Sequence, residues 1–354
     1  MSVSFYPGPS KVYEQVPAFV KAAHKQGILS VNHRSDPFMR MVKQCQNLLR
    51  KKLEIPQDYS IFFTSSATES WEIIAQSLTR EQSFHIYNGA FGEKWFRYAK
   101  KLRPESTCLS FTPGTLVDPK KMRVPAKAEI ICLTQNETSN GTQVTNKVIK
   151  AIRNKYPRKL LAIDATSSMA GIYLDFLQAD VWYASVQKCF GLPAGLGLMI
   201  CSPRALAAAE KIGENDHYNS LLFIRENMNK NQTSYTPNVL SIYLLMQVMK
   251  MVPGIRKVDE RIRDRHRQWM DFLKELPGLR PLIRRRTVQS YTVISLVGKA
   301  DSISKVKKQL LKAGFIVGNG YGNLSETTFR IANFPALKRK EIKGLQKTLN
   351  KILS

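Results

Sequence analysis

The stretch KLLAIDATSSMAGIYLDFLQADVWYASVQKCFGLPAGLGLMIC, residues 159–201, contains short apolar runs that end in small or polar residues. Runs rich in Ile, Leu and Val without alternating polar residues are typical of strands buried on both faces of a parallel sheet. The first run ends at Asp164, and the second leads into Lys188. Functional groups of an α/β sheet collect at the carboxyl ends of its strands, so these two side chains can face one ligand.

The chemistry of this pair is specific. An amine placed after a buried strand loses hydration, has a lowered pKa and can form a Schiff base. A carboxylate facing a pyridine nitrogen keeps that nitrogen protonated, and the protonated ring is an electron sink. On spacing alone, a surface Lys188 and a capping Asp164 are the simpler interpretation, so other segments must decide.

Residues 60–201 alternate apolar runs with amphipathic stretches, the pattern of parallel strands linked by crossover helices. Strands are predicted at 60–64, 84–88, 107–111, 129–134, 159–164, 181–186 and 196–201, with helices at 69–78, 91–102 and 144–155. The fold class is α/β. We expect a large, mostly parallel-sheet domain over residues 1–253, whose N-terminal segment can also pack on a second domain. Residues 254–354 are expected to form that smaller α+β domain, beginning with a long connecting helix.

Composition limits the classes of protein. The chain has 354 residues, 43% of them hydrophobic, and a formal net charge of +27. Its five cysteines show no paired metal-ligand spacing, and no apolar run has the roughly 20 residues of a membrane helix. We expect a cytoplasmic protein without a metal. The basic residues are spread along the chain without a nucleic-acid-binding motif, so a basic nucleic-acid-binding protein remains a remote alternative.

Residues 164–168, 179–188 and 191–197, in this order, resemble the signature of class V aminotransferases, which are pyridoxal phosphate enzymes of fold type I. The resemblance implies that Lys188 holds this cofactor as a Schiff base and that Asp164 pairs with its pyridinium nitrogen. Gln187 is similar to the residue that lies beside the cofactor phosphate in the phosphoserine aminotransferase branch. The resemblance extends from residues 6–9 to the last helix.

Further cofactor contacts follow from the same resemblance. Residues 65–69, SSATE, open a helix whose free N–H groups suit a phosphate, although they are also simply a good N-cap. Phe91 matches the residue that stacks on the cofactor ring, with ordinary core packing as the alternative, and Thr138 matches the partner of the ring hydroxyl. Thr236, in residues 235–238, matches a contact to the phosphate of a neighbouring subunit, which implies a homodimer with shared active sites. The implied cofactor-binding set is Ser66, Ala67, Thr68, Phe91, Thr138, Asp164, Ser185, Gln187, Lys188, Tyr235 and Thr236.

The resemblance also implies three substrate-binding residues. His33 and Arg34 resemble the pair that holds the distal anion of phosphoserine, and Arg330 resembles the arginine that binds the α-carboxylate. The resemblance implies transamination of phosphoserine with 2-oxoglutarate in serine biosynthesis. A second His-Arg pair expected before Arg330 is missing, because residues 318–328 contain neither residue type. A transaminase for alanine or serine with glyoxylate or pyruvate therefore stays open, whereas a cysteine desulfurase is disfavoured because no cysteine follows Cys201.

Overall fold

Residues 2–354 are described by a computed structural model, in which two sheets and a short hairpin are surrounded by helices. The strands are β1 Val3–Phe5, β2 Ser60–Thr64, β3 Ser83–Tyr87, β4 Thr107–Ser110, β5 Ile130–Thr134, β6 Asn136–Glu137, β7 Thr142–Gln143, β8 Leu160–Asp164, β9 Val181–Ser185, β10 Gly197–Cys201, β11 Arg280–Pro281, β12 Val293–Val297, β13 Phe315–Asn319 and β14 Thr328–Ala332. The α-helices are α1 Val16–Lys25, α2 Asp36–Leu53, α3 Glu69–Ser77, α4 Ala90–Leu102, α5 Asn146–Lys155, α6 Pro203–Ile212, α7 Leu221–Asn229, α8 Val239–Met251, α9 Ile255–Lys274, α10 Ala300–Lys312 and α11 Arg339–Leu353.

The larger sheet has the strand order β2-β10-β9-β8-β5-β3-β4 and confirms the predicted α/β class. Parallel pairs join β4 to β3, β3 to β5, β5 to β8 and β8 to β9. The prediction of parallel strands was wrong for β10, which is antiparallel to both β2 and β9. The linker between β9 and β10 is too short for the helical crossover that a parallel pair needs, so the chain turns straight back.

The smaller sheet has the order β1-β13-β14-β12-β11. Its edge strand β1 comes from the N-terminus and pairs in parallel with β13, so that Val3 lies opposite Phe315. The N-terminal segment therefore contributes a strand to the second sheet. The exact division of the chain at residue 253 stays a prediction.

The helices α8 and α9 differ in their surroundings. Ile242, Leu245 and Val248 of α8 are fully buried, which explains why this helix is apolar on all sides. The helix α9 is amphipathic and buries one face only, as expected of the long helix that leads into the C-terminal part. No single helix among residues 2–354 is long and apolar enough to cross a membrane; one helix pair, bent by 82°, passes this test by length and composition alone.

Candidate active site

A cavity of about 280 Å³ lies where the N-terminal segment and the end of the smaller sheet meet the carboxyl ends of β8 and β9. Several of its lining residues come from the loops that follow strands of the larger sheet, the position at which α/β folds place ligands. The lining consists of Tyr6, Pro7, Gly8, Ala67, Thr68, Trp71, Phe91, Lys94, Asn136, Thr138, Asp164, Thr166, Ser185, Gln187, Lys188, Tyr321 and Arg330.

The side chain of Lys188 lies in this cavity and is almost completely buried, with 8% of its surface exposed. Its Nζ donates a hydrogen bond of 3.0 Å to Thr138 Oγ1 and lies 5.3 Å from the centre of the Phe91 ring. Burial lowers the pKa of the Lys188 amine, and the negative charge of Asp164 opposes this effect. A lowered pKa increases the fraction of neutral, nucleophilic amine at neutral pH.

Gly8 allows the main chain of the N-terminal segment to pass close to the side chain of Lys188. Its φ of +138° is unfavourable for any residue with a side chain. A Cβ atom built at this position would lie 2.8 Å from Lys188 Cε, closer than carbon atoms pack. The glycine therefore allows the N-terminal segment to cover the lysine without displacing it.

Asp164 is the last residue of β8 and has only 4% of its surface exposed. Burial raises the pKa of its carboxyl group, while hydrogen bonds from Thr166 and the positive charge of Lys188 act in the opposite direction. The main-chain N–H of Thr166 donates to Asp164 Oδ1 at 2.9 Å. A cationic ring nitrogen near this carboxylate would stabilise the ionised form further.

The loop before α3 presents small residues and main-chain donors. The N–H of Ala67 donates to Ser185 Oγ at 2.9 Å, which ties this loop to the end of β9. Ser66 Oγ accepts a 3.2 Å hydrogen bond from the N–H of Glu69 and caps the helix, but Ser66 does not line the cavity. Ala67 and Thr68 line it, and Gln187 has a buried Oε1 without a hydrogen-bond partner in the described chain.

Phe91 and Thr138 are fixed by their neighbours. Thr138 Oγ1 donates to Ser167 Oγ at 2.9 Å, so the hydroxyl that accepts from Lys188 has a defined orientation. The buried carboxylate of Glu137 accepts hydrogen bonds from Gly92 N at 3.1 Å and Ser139 N at 3.0 Å. This carboxylate holds the first turn of α4, which carries Phe91, against the loop that carries Thr138.

Arg330, on β14, brings a buried positive charge to the cavity. Its Nε donates to Asn319 O and its Nη1 to Thr138 O, both at 2.8 Å. Burial lowers the pKa of the guanidinium group, which stays protonated at neutral pH because a free arginine has a pKa above 12. Within residues 2–354 no carboxylate forms an ion pair with Arg330, so this cation is available to an anionic ligand.

The sequence-predicted residues His33, Arg34, Tyr235 and Thr236 lie outside the cavity of their own chain. The two segments meet near Gln232, because Arg34 Nη1 donates to Gln232 Oε1 at 2.8 Å, three residues before Tyr235. Arg34 and Thr236 are exposed. The structure thus divides the predicted site into a cavity group and a surface group.

Eight residues of the cavity wall were not among the predicted site residues: Tyr6, Pro7, Gly8, Trp71, Lys94, Asn136, Thr166 and Tyr321. Trp71 and Lys94 each follow a predicted site residue, Thr68 or Phe91, by three positions, and on a helix this spacing places side chains on one face. That spacing was a usable signal. Tyr321 lies in the segment 318–328, which contains neither histidine nor arginine.

These residues fit pyridoxal phosphate on several independent grounds. Lys188 would attach the aldehyde carbon, Asp164 would face the ring nitrogen, and the N-terminal turn of α3 with Ser185 and Gln187 would hold the phosphate. The buried amine of Lys188, the buried carboxyl group of Asp164 and the cavity of about 280 Å³ that both line fit a group that completes the site. This fold and this site define a pyridoxal phosphate-dependent enzyme of fold type I.

Comparison with known proteins narrows the class. The family model described as Aminotransferase class-V matches residues 7–324. The chain belongs to the class V aminotransferase family, and it is a pyridoxal phosphate-dependent aminotransferase. It is 27% identical over 360 residues to the phosphoserine aminotransferase of Rhodococcus opacus (strain B4), covering 98% of this chain and 94% of that protein. The relative from Corynebacterium glutamicum (strain R), of the same name, is 29% identical over 98% of this chain and 93% of its own length.

A solved structure is more similar still. The phosphoserine aminotransferase from Cytophaga hutchinsonii ATCC 33406 superposes with a TM-score of 0.95 and 32% sequence identity. The match covers 99% of this chain and 98% of that one. The chain is therefore similar to these enzymes over its whole fold, with no large insertion or deletion.

Proposed function

We propose that this chain transfers the amino group of phosphoserine to 2-oxoglutarate, the reversible transamination used in serine biosynthesis. The observation that carries the proposal is the set of cations in the cavity wall, where Arg330 and Lys94 have no acidic partner within the described chain. A substrate with a carboxylate at one end and a second anionic group at the other would pair with both cations. The names of the relatives that match the chain over 98% of its length support the same substrate.

Bound pyridoxal phosphate supplies a protonated ring that stabilises negative charge at the α-carbon of an amino acid. Asp164 would face the ring nitrogen and favour its protonated form, because the carboxyl group of Asp164 is buried in the cavity wall. Lys188 Nζ would carry a proton to and from the substrate carbon as general base and acid. Thr138 Oγ1, 3.0 Å from Nζ, orients that amine.

Arg330 binds the α-carboxylate in this proposal. Its two bonds to main-chain carbonyls fix the plane of the guanidinium group before substrate arrives, so little conformational freedom is lost on binding. Exclusion of water from the cavity around the bound substrate would strengthen the ion pair between Arg330 and the α-carboxylate.

The proposal includes a homodimer with shared active sites. His33, Arg34, Tyr235 and Thr236 would then complete the cavity of the partner, because in their own chain they form a separate surface group. Mixing Lys188→Ala chains with Thr236→Ala chains tests this. Restored activity in the mixture supports sharing, whereas a fully active monomer at high dilution contradicts it.

A transaminase for a smaller amino acid is the second candidate. It is favoured by the segment 318–328, where Tyr321 contributes to the cavity and no histidine or arginine is present. The centre of the Tyr321 ring lies 5.4 Å from the centre of the Phe91 ring. An aromatic side chain in this position narrows the cavity. Only the distal end of the substrate distinguishes the two candidates.

A half-reaction screen tests the proposed function. The purified holoenzyme is mixed with phosphoserine, serine, alanine, glutamate or cysteine, and the change in cofactor absorbance is followed. Phosphoserine and glutamate should react with the highest kcat/KM. A preference for alanine or serine over phosphoserine would establish the second candidate instead.

A further inference from the structure

A second and larger cleft, of about 600 Å³, lies away from the active-site cavity and shares no lining residue with it. Its walls come from four parts of the chain: residues 13–15, the turn from α8 into α9, one face of α9, and residues 335–339 at the start of α11. The proposed transamination assigns no role to this cleft.

The cleft has an excess of positive charge. Its lining contains four cations, Arg261, Arg265, Lys338 and Arg339, and two acids, Glu14 and Asp264. Both acids are already paired: Glu14 forms an ion pair with Lys338, and Asp264 forms one of 3.1 Å with Arg267. Arg261, Arg265 and Arg339 have no acidic partner among residues 2–354, so three positive charges remain available.

Arg265 is the most constrained of these cations. It donates to Leu337 O at 2.8 Å and to Phe334 O at 3.1 Å, and its Nε is buried without a partner in the described chain. Burial lowers the pKa of its guanidinium group to about 10, so the group is still charged at neutral pH. A buried charge without a counter-ion is unfavourable unless an anion joins it. Arg261 lies four residues earlier on α9, where the i, i+4 spacing puts both side chains on the same face.

The remaining wall is apolar and is formed largely by Val252, Pro253, Val258, Pro335, Ala336 and Leu337. We propose that this cleft binds an organic anion with an apolar body, whose acidic group pairs with Arg261 and Arg265. A small inorganic anion would leave the apolar wall in contact with water. A neutral apolar molecule would leave the arginines unpaired.

The cleft is connected to the loop that carries Lys188. Tyr13 lines the cleft, and its N–H donates to Gly191 O at 2.9 Å. Gly191 has a φ of +62°, and a Cβ there would lie 2.7 Å from the Tyr13 ring, so the ring packs directly on this loop. An occupant of the cleft would therefore contact Tyr13, and Tyr13 in turn contacts the loop that follows Lys188.

The test measures binding of naphthalene-2-sulfonate to the holoenzyme by isothermal titration calorimetry. The probe should bind the wild type, and Arg261→Gln should weaken it about tenfold, as expected for one lost charge-assisted hydrogen bond. Lys257→Gln is the matched control, because it removes a positive charge from an exposed position of α9 outside the cleft. This control should bind the probe as the wild type does.

Two further measurements distinguish binding in the cleft from binding in the active-site cavity and from nonspecific hydrophobic binding. Arg330→Gln should leave the affinity for the probe unchanged, whereas a loss there would assign the probe to the active-site cavity and overturn the proposal. The uncharged analogue 2-naphthalenemethanol should bind at least tenfold more weakly than the sulfonate. The proposal is also refuted if the two probes bind with equal affinity, if the sulfonate does not bind the wild type, or if Arg261→Gln leaves its affinity unchanged. Because Arg261 is exposed, its replacement does not threaten folding.

Discussion

Arg330→Gln removes the buried positive charge that we assign to the α-carboxylate of every amino acid and oxo acid substrate. Hydrogen bonds that involve a charged group contribute about 1.5–3 kcal/mol each. The guanidinium is held at its Nε and Nη1 by main-chain carbonyls, so the substrate contact falls on the part that these bonds leave available. Loss of one such contact, at about 2 kcal/mol, corresponds to a decrease in kcat/KM of about thirtyfold.

The assay is the single-turnover half-reaction, followed through the cofactor absorbance, with phosphoserine, glutamate and alanine as substrates. The kcat/KM for all three substrates should decrease by a similar factor, because all three carry the α-carboxylate. Arg280→Gln is the control, since Arg280 is an exposed cation on β11 of the same sheet. The reasoning fails if phosphoserine alone is affected, or if the variant and the control behave alike.

Three further predictions concern other residues. Asp164→Asn should slow the half-reaction about a hundredfold or more while the circular dichroism spectrum stays native, and near-normal rates would contradict the assigned role. Arg34→Ala and Lys94→Gln should each raise the KM for phosphoserine about tenfold without affecting alanine; an equal loss for both substrates would exclude distal-anion binding. Burial lowers the pKa of His266 from 6.5 to about 4, so the unfolded chain takes up the proton first. The free energy of unfolding should therefore fall as the pH drops from 6.5 towards 4, by up to about 3 kcal/mol, and His266→Gln should flatten this slope in urea titrations.

The sequence was most informative where local pattern and sheet geometry agree. The strands β8 and β9, with Asp164 at the end of the first and Lys188 shortly after the second, follow from apolar runs and parallel pairing. The hydrogen bond from the Ala67 N–H to Ser185 Oγ joins parts of the chain that are far apart in sequence. Only the resemblance, which implies that both residues contact the cofactor, indicated that they lie close together.

Other features depend on tertiary structure that no local pattern encodes. The direction of β10 is set by the short turn after Lys188, and Tyr321 reaches the cavity from a segment of the smaller sheet that is distant in sequence from most of the other lining residues. The separation of Arg34 from the cavity is a second example. Its segment resembles the family, but the position of a surface loop relative to the cavity is decided by long-range packing.

The pairing of β1 with β13 also has a consequence for biosynthesis. Val3 is synthesised long before its partner Phe315. Until β13 has been made, β1 has no strand to pair with, so the segment that carries Gly8 lacks this anchor beside Lys188. A chain truncated before residue 315 should therefore lack a finished cavity around this amine.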